Sequence, residues 1–215
     1  MWSAGPAARR AAPLARGGFL LQPGMRVGLF GGSFNPAHAG HAHVAVTALR
    51  RLRLDRVIWL VSPQNPLKSS AETAPLAARV GSARTQARGP SMIVTDVETA
   101  FGSQFTIDTL RALKARWPAV RFVWIMGADG LASFHRWRGW TQIMREVPVA
   151  VVSRPRVSLR ARFSPAALRF ARFRRSSSQA RTLPLAEPPA WMFLRAPLNF
   201  QSSTALRERG RNLEP

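Results

Sequence analysis

The chain has no cysteine among its 215 residues. That excludes disulfides, thiolate metal sites and a cysteine nucleophile. Lysine is almost as scarce: Lys68 and Lys114 are the two, and arginine supplies the rest of the 32 basic residues. Acids number 10, which leaves a formal net charge of +22. No stretch reaches the roughly 18 uninterrupted apolar residues of a membrane span. Acidic side chains are missing altogether from residues 147–186, where Arg154, Arg156, Arg160, Arg162, Arg169, Arg172, Arg174, Arg175 and Arg181 fall. Two readings of that segment stay open: a solvated basic face, or a loop that helps to attract a polyphosphate. The charge favours anionic partners and admits a basic nucleic-acid-binding module. Elsewhere, however, the arginines are scattered and form no single block.

The first 24 residues, MWSAGPAARRAAPLARGGFLLQPG, also lack acids and show little periodicity. They have no long apolar core of a secretory signal, and a single serine, Ser3, argues against a transit peptide. Residues 1–24 are expected to form a disordered tail, and 25–215 a single domain. Within that domain short apolar runs alternate with helical patterns. RVGLF, RVIWLVS, SMIVTDV, VRFVWIMG, VPVAVVS and WMFLRA read as strands. Between them, residues 38–52 and 76–87, the latter with arginines on one face, read as helices, as does the run begun by Thr106 as N-cap and ended by Pro118. Ser164-Pro165 reads as a helix start and residues 176–178 as a loop. This alternation predicts an α/β fold, a mostly parallel sheet with helices on both faces, whose ligands bind beyond the strand C-termini.

The first such end reads GGSFNPAHAGH, Gly31 to His41. Two glycines after a strand allow close backbone approach, and the helix that follows offers unpaired N–H groups and a positive dipole end. His38 and His41 are three apart, so both can face one side and hydrogen-bond a phosphoryl oxygen. His43 lies outside that pattern. A second phosphate signal, SSTALR from Ser202 to Arg207, places hydroxyls and a guanidinium at a helix start.

The first turn resembles the HxGH turn of the nucleotidyltransferases, and SSTALR their C-terminal SSTxxR motif. FTIDTL, MGADGLASFHRWRGWTQI and the SRP at Ser153 to Pro155 are similar to segments of bacterial nicotinate-nucleotide adenylyltransferases. Together these matches run from about Arg26 to Arg209. The resemblance implies a Rossmann-like nucleotidyltransferase fold in a cytoplasmic enzyme of NAD biosynthesis. ATP and nicotinate mononucleotide would give deamido-NAD and pyrophosphate. It also implies site residues. His38 and His41 would be catalytic. Gly31, Gly32, Ser33, Phe34, Lys68, Gly127, Asp129, Ser202, Ser203, Thr204 and Arg207 would bind ATP and its phosphates. Thr106, Trp137 and Arg138 would receive the nicotinate nucleotide. Asn35 departs from the aspartate common in the superfamily; its amide can still orient the turn but brings no charge. Magnesium is expected with ATP, held by phosphates and water and not by a protein cage. No stable nucleic-acid or membrane partner is expected. Nicotinamide mononucleotide and pantetheine phosphate remain rival acceptors.

Overall fold

The computed structural model describes residues 19–63, 73–153 and 158–196. Among these, seven strands form one sheet, every pairing parallel, in the order β3-β2-β1-β4-β5-β7-β6. The strands are β1 Arg26–Gly32, β2 Arg56–Val61, β3 Met92–Thr95, β4 Arg121–Gly127, β5 Val149–Val152, β6 Arg174–Arg175 and β7 Trp191–Leu194. The helices are α1 Ala39–Arg51, α2 Leu76–Gln86, α3 Val97–Ala100, α4 Thr106–Arg116, α5 Ala128–Ser133, α6 Trp140–Glu146, α7 Ser158–Arg162 and α8 Pro165–Arg169. The expected α/β architecture is the observed one.

Alternation along each strand divides the core into two layers. Val27 and Leu29 of β1 join Phe122, Trp124 and Met126 of β4 beneath α4, α5 and α6. Phe30 joins Val123 and Ile125 beneath α1 and α2. Both faces of the sheet are therefore covered, which is why its strands read as near-continuous apolar runs. β1 lies between β2 and β4, at the place where the strand order reverses, and a cleft opens at such a switch point. The strand ends are level there: Gly32 pairs with Val61, Gly127 with Val152, and Val152 with Leu194.

Several details correct the sequence-based expectations. Gly31 and Gly32 belong to β1 and not to the turn. A Cβ at Gly31 would overlap the indole of Trp124, so this glycine is a packing requirement. Thr106 is the first residue of α4, not its cap; Phe105 holds the cap position and no side chain caps it. The arginines of α2 do not share a face, because Arg79 is buried and Arg84 exposed. Ser176 starts a 3-10 helix over residues 177–185 by accepting from Ser178 N, where a loop was expected. Strand β6 is two exposed arginines, with no apolar signature to announce it.

The packed domain also begins earlier than residue 25. Phe19 and Leu21 are buried in the core, and Phe19 stacks on Trp117 with ring centroids 5.1 Å apart. Residues 1–18, most of the expected tail, lie outside the described residues.

Candidate active site

The turn between β1 and α1 is compressed by aromatic packing. Phe34 has φ 48°, a left-handed value that costs an ordinary residue about 1–2 kcal/mol. Its ring lies 5.4 Å from Phe30, 5.1 Å from Trp59 and 5.1 Å from His41, centroid to centroid. That burial holds the strained residue in place. Ser33, Asn35 and His38 are buried beside it.

His38 caps α1: its Nδ1 accepts from Gly40 N at 3.1 Å. His41 reaches back, its Nδ1 accepting from His38 N at 3.3 Å. The two rings lie 3.9 Å apart. An imidazole whose Nδ1 accepts carries its proton on Nε2. With each Nδ1 accepting a backbone N–H, the geometry assigns both rings the Nε2–H tautomer. His43 sits apart on α1, with its Nε2 buried and without a hydrogen-bond partner.

The sequence reading missed what holds this turn: α2. Arg79 sends Nη1 to the carbonyls of Ser33 (2.9 Å) and Ser62 (2.7 Å), Nη2 to Pro63 (2.7 Å) and Nε to Ala74 (2.8 Å). One guanidinium thereby joins the turn after β1, the end of β2 and the entry to α2. Ser82 adds its hydroxyl, which accepts from Ala37 N at 3.2 Å. Asn35 Oδ1 accepts from Ala74 N at 3.2 Å, so the amide does orient the turn. In a chain with so many arginines, nothing in the spacing of Arg79 marks it as different.

Gly127 ends β4 and precedes Asp129, which is exposed in the otherwise mostly buried first turn of α5. Because Phe30 pairs with Ile125, the ends of β1 and β4 emerge side by side. The residues expected to receive the acceptor lie on α4 and on the segment after α5. Arg138 lies over the ring of Phe105 at 4.4 Å, next to Thr106. Trp137 meets Phe134 and Trp124 edge-to-face at 5.2 and 6.1 Å. Trp124 in turn borders Gly31. Contacts thus run from Gly31 at the end of β1 through Trp124 to Trp137, and its neighbour Arg138 covers Phe105. Trp140 packs between Phe134 and Phe170 at 6.3 and 5.9 Å. Lys68, Ser202, Ser203, Thr204 and Arg207 lie outside the described residues. Among those described, no group of three or more His, Asp or Glu side chains could hold a metal ion. Nor does any described helix have the length and apolarity to cross a membrane.

Beneath this row is a second feature missed in the sequence. Glu98 is buried, and its Oε1 accepts from Thr109 Oγ1 at 3.1 Å. The Thr109 hydroxyl lies 3.1 Å from Ser103 Oγ, which donates to Phe105 O at 3.0 Å. The chain fixes the loop that delivers Phe105 and Thr106. Burial pushes the Glu98 carboxyl up from about 4.5 to about 7, against a smaller lowering by Thr109. Between those values the folded state binds more protons than the unfolded state. The protonated carboxyl's contribution is complete below about pH 4.5, and it is lost as pH rises through about 7. Glu98→Gln keeps an acceptor for Thr109 and cannot ionise. Relative to wild type, this variant should gain about 2–3 kcal/mol between pH 5 and pH 8 in urea unfolding. Parallel pH profiles for the two proteins would contradict that account.

Comparison with known proteins agrees with the geometry. The cytidylyltransferase-like family profile matches residues 29–209. A Caulobacter protein named probable nicotinate-nucleotide adenylyltransferase is 71% identical over 185 residues, covering 86% of this chain and 98% of the relative. One of the same name from Cereibacter sphaeroides is 56% identical, covering 87% of this chain and 99% of its own. Among solved structures, a Plasmodium falciparum nicotinic acid mononucleotide adenylyltransferase complexed with NaAD superposes with a TM-score of 0.59 at 16% identity, over 85% of this chain and 82% of that one. The same enzyme complexed with APC gives 0.61 at 14%, over 86% and 83%. At such identities the likeness is one of fold.

Proposed function

The chain belongs to the nicotinate-nucleotide adenylyltransferase family of cytidylyltransferase-like proteins, and on that premise we propose that it transfers the adenylyl group of ATP to nicotinate mononucleotide. The products are deamido-NAD and pyrophosphate, made in the cytoplasm for NAD synthesis. The observation that carries this reading is the His38–His41 pair, its rings 3.9 Å apart at the start of α1, where the strand order reverses.

The acceptor's 5′-phosphate is already an anion near neutral pH and needs no general base. One of its oxygens bonds to the α-phosphorus of ATP in line with the departing group. The bond from that phosphorus to the bridging oxygen breaks, and pyrophosphate leaves with the electron pair. The protein's work is positioning and stabilisation of charge. His38 and His41 donate to phosphoryl oxygens whose charge grows during transfer. The end of β1 at Gly31 and Gly32 and the turn at Ser33 and Phe34 line the nucleotide path, and Arg79 keeps that turn rigid. Asp129 accepts from ribose hydroxyls beside Gly127. By family resemblance Lys68, Ser202, Ser203, Thr204 and Arg207 complete the triphosphate grip. Magnesium arrives with ATP, held by phosphate oxygens and water.

Trp137 offers its face to the pyridine ring, and Thr106 and the backbone at Arg138 supply polar contacts to its carboxylate. A hydrogen bond to a charged group contributes about 1.5–3 kcal/mol, so the acid should be favoured over the amide by ~10- to 100-fold in kcat/KM. Pyrophosphate release with ATP and each candidate acceptor measures this directly. Equal or reversed values for nicotinamide mononucleotide would remove the assignment to the acid. Turnover only with pantetheine phosphate would move the chain to another branch of the superfamily.

A further inference from the structure

At the far edge of the sheet a cavity of about 400 Å³ is lined by Arg162, Arg174, Arg175 and Arg195, with Ser176, Ser177, Ala171 and Phe193. No carboxylate is among these residues. Arg174, Arg175 and Arg195 are exposed, so solvent screens their mutual repulsion, and with Arg162 they form a concave positive patch open to an anion.

The cavity is built rather than incidental. Arg162 lies over the ring of Phe193 at 5.5 Å, and Arg174 over Trp191 at 5.6 Å, so both guanidiniums rest on aromatic shelves. The Nε of Arg162 is buried with no hydrogen-bond partner among the described residues. Arg51, from the end of α1, donates to the carbonyls of Arg195 (3.3 Å) and Ser177 (3.1 Å), tying two sides of the rim together. Planar guanidiniums and serine hydroxyls match phosphate oxygens, which guanidinium groups take in pairs.

This place is not the phosphate turn. The pocket spans β6 and the end of β7, which stand four and three strand spacings from β1, about 19 and 14 Å at 4.8 Å per spacing. We propose that the arginine-lined pocket is a second anion site, separate from the one at His38 and His41, that takes the di- or triphosphate group of a small molecule. The group can belong to a free polyphosphate or to a nucleotide; the volume accommodates either.

Calorimetric titration of the full-length protein with inorganic triphosphate, at physiological salt, tests it. Wild type should show two sites. Arg175→Gln with Arg195→Gln should weaken one of them at least tenfold, with the melting temperature unchanged and adenylyl transfer within about twofold of wild type. Arg84→Gln with Arg88→Gln removes the same charge from the opposite side of the sheet and should keep both sites. A parallel titration with ATP separates the sources: tighter binding than triphosphate at this site means a nucleotide, equal binding a free polyphosphate. The proposal is overturned if the pocket variant binds like wild type, or if the control variant weakens binding equally, which would mean diffuse attraction only. It is also overturned if turnover collapses in the folded pocket variant, because the pocket would then be part of the substrate site. The readout is binding, so this proposal and the acceptor assignment can fail independently.

Discussion

His41→Ala lowers kcat by about 10²–10³, the usual cost of removing one preorganised donor from a developing charge. The expectation follows from how this ring is held. Its Nδ1 is engaged by His38 N, so the Nε2–H cannot turn away. Removing it also leaves the His38 N–H without that acceptor, a structural cost of about 1 kcal/mol. His38→Ala should differ in kind. It loses the helix cap to Gly40 N, worth about 0.5–2 kcal/mol, together with a donor, so it should melt lower than His41→Ala while also impairing turnover. His43→Ala removes a ring outside the pair and should leave turnover near normal. Thermal unfolding beside steady-state kinetics separates the two kinds of loss. Near-normal kcat and kcat/KM in folded His41→Ala would reduce the histidine to a helix-start residue.

The largest structural effect is expected at Arg79. Arg79→Met preserves much of the packing volume but removes every donor to the carbonyls of Ser33, Ser62, Pro63 and Ala74. The Ser33 carbonyl is buried and the other three are partly reached by water, so loss of the donors should cost about 2–4 kcal/mol in all. In a domain of this size that is roughly 10 °C in Tm. Lysine should rescue little, because a single ammonium cannot span carbonyls from three segments as a guanidinium does. Where the variant remains folded, kcat should also fall, since Ser33 lies in the phosphate turn. A wild-type melting curve for Arg79→Met would mean that the four contacts are redundant with water.

What was legible in the chain was what local chemistry dictates. Apolar runs bounded by Gly, Pro and Ser announced six of the seven described strands. The histidine pair declared itself because a strand, two glycines and a helix start surround it. What stayed hidden depends on partners distant in sequence. Gly31 looks like a turn glycine until Trp124, more than 90 residues on, is seen against it. Arg79 reads as a surface residue because burial of a guanidinium depends on carbonyls contributed by other elements. Glu98 looks like an ordinary acid until Thr109 and Ser103 fold over it. Strand β6 exists because β7 offers it an edge, not because Arg174 and Arg175 prefer extended structure.

Trp124 gives the domain a fixed internal gauge. One side of its indole abuts the backbone of the strand leading to the phosphate turn, and its edge contacts the tryptophan proposed to receive the pyridine. On the proposed assignment, the reach between the two mononucleotide halves is set by the width of a single aromatic ring. Neither half can be enlarged without displacing the other. On the proposed assignment, tolerance for bulkier acceptors has to come from outside the strand, at the less buried side chains of residues 135–138.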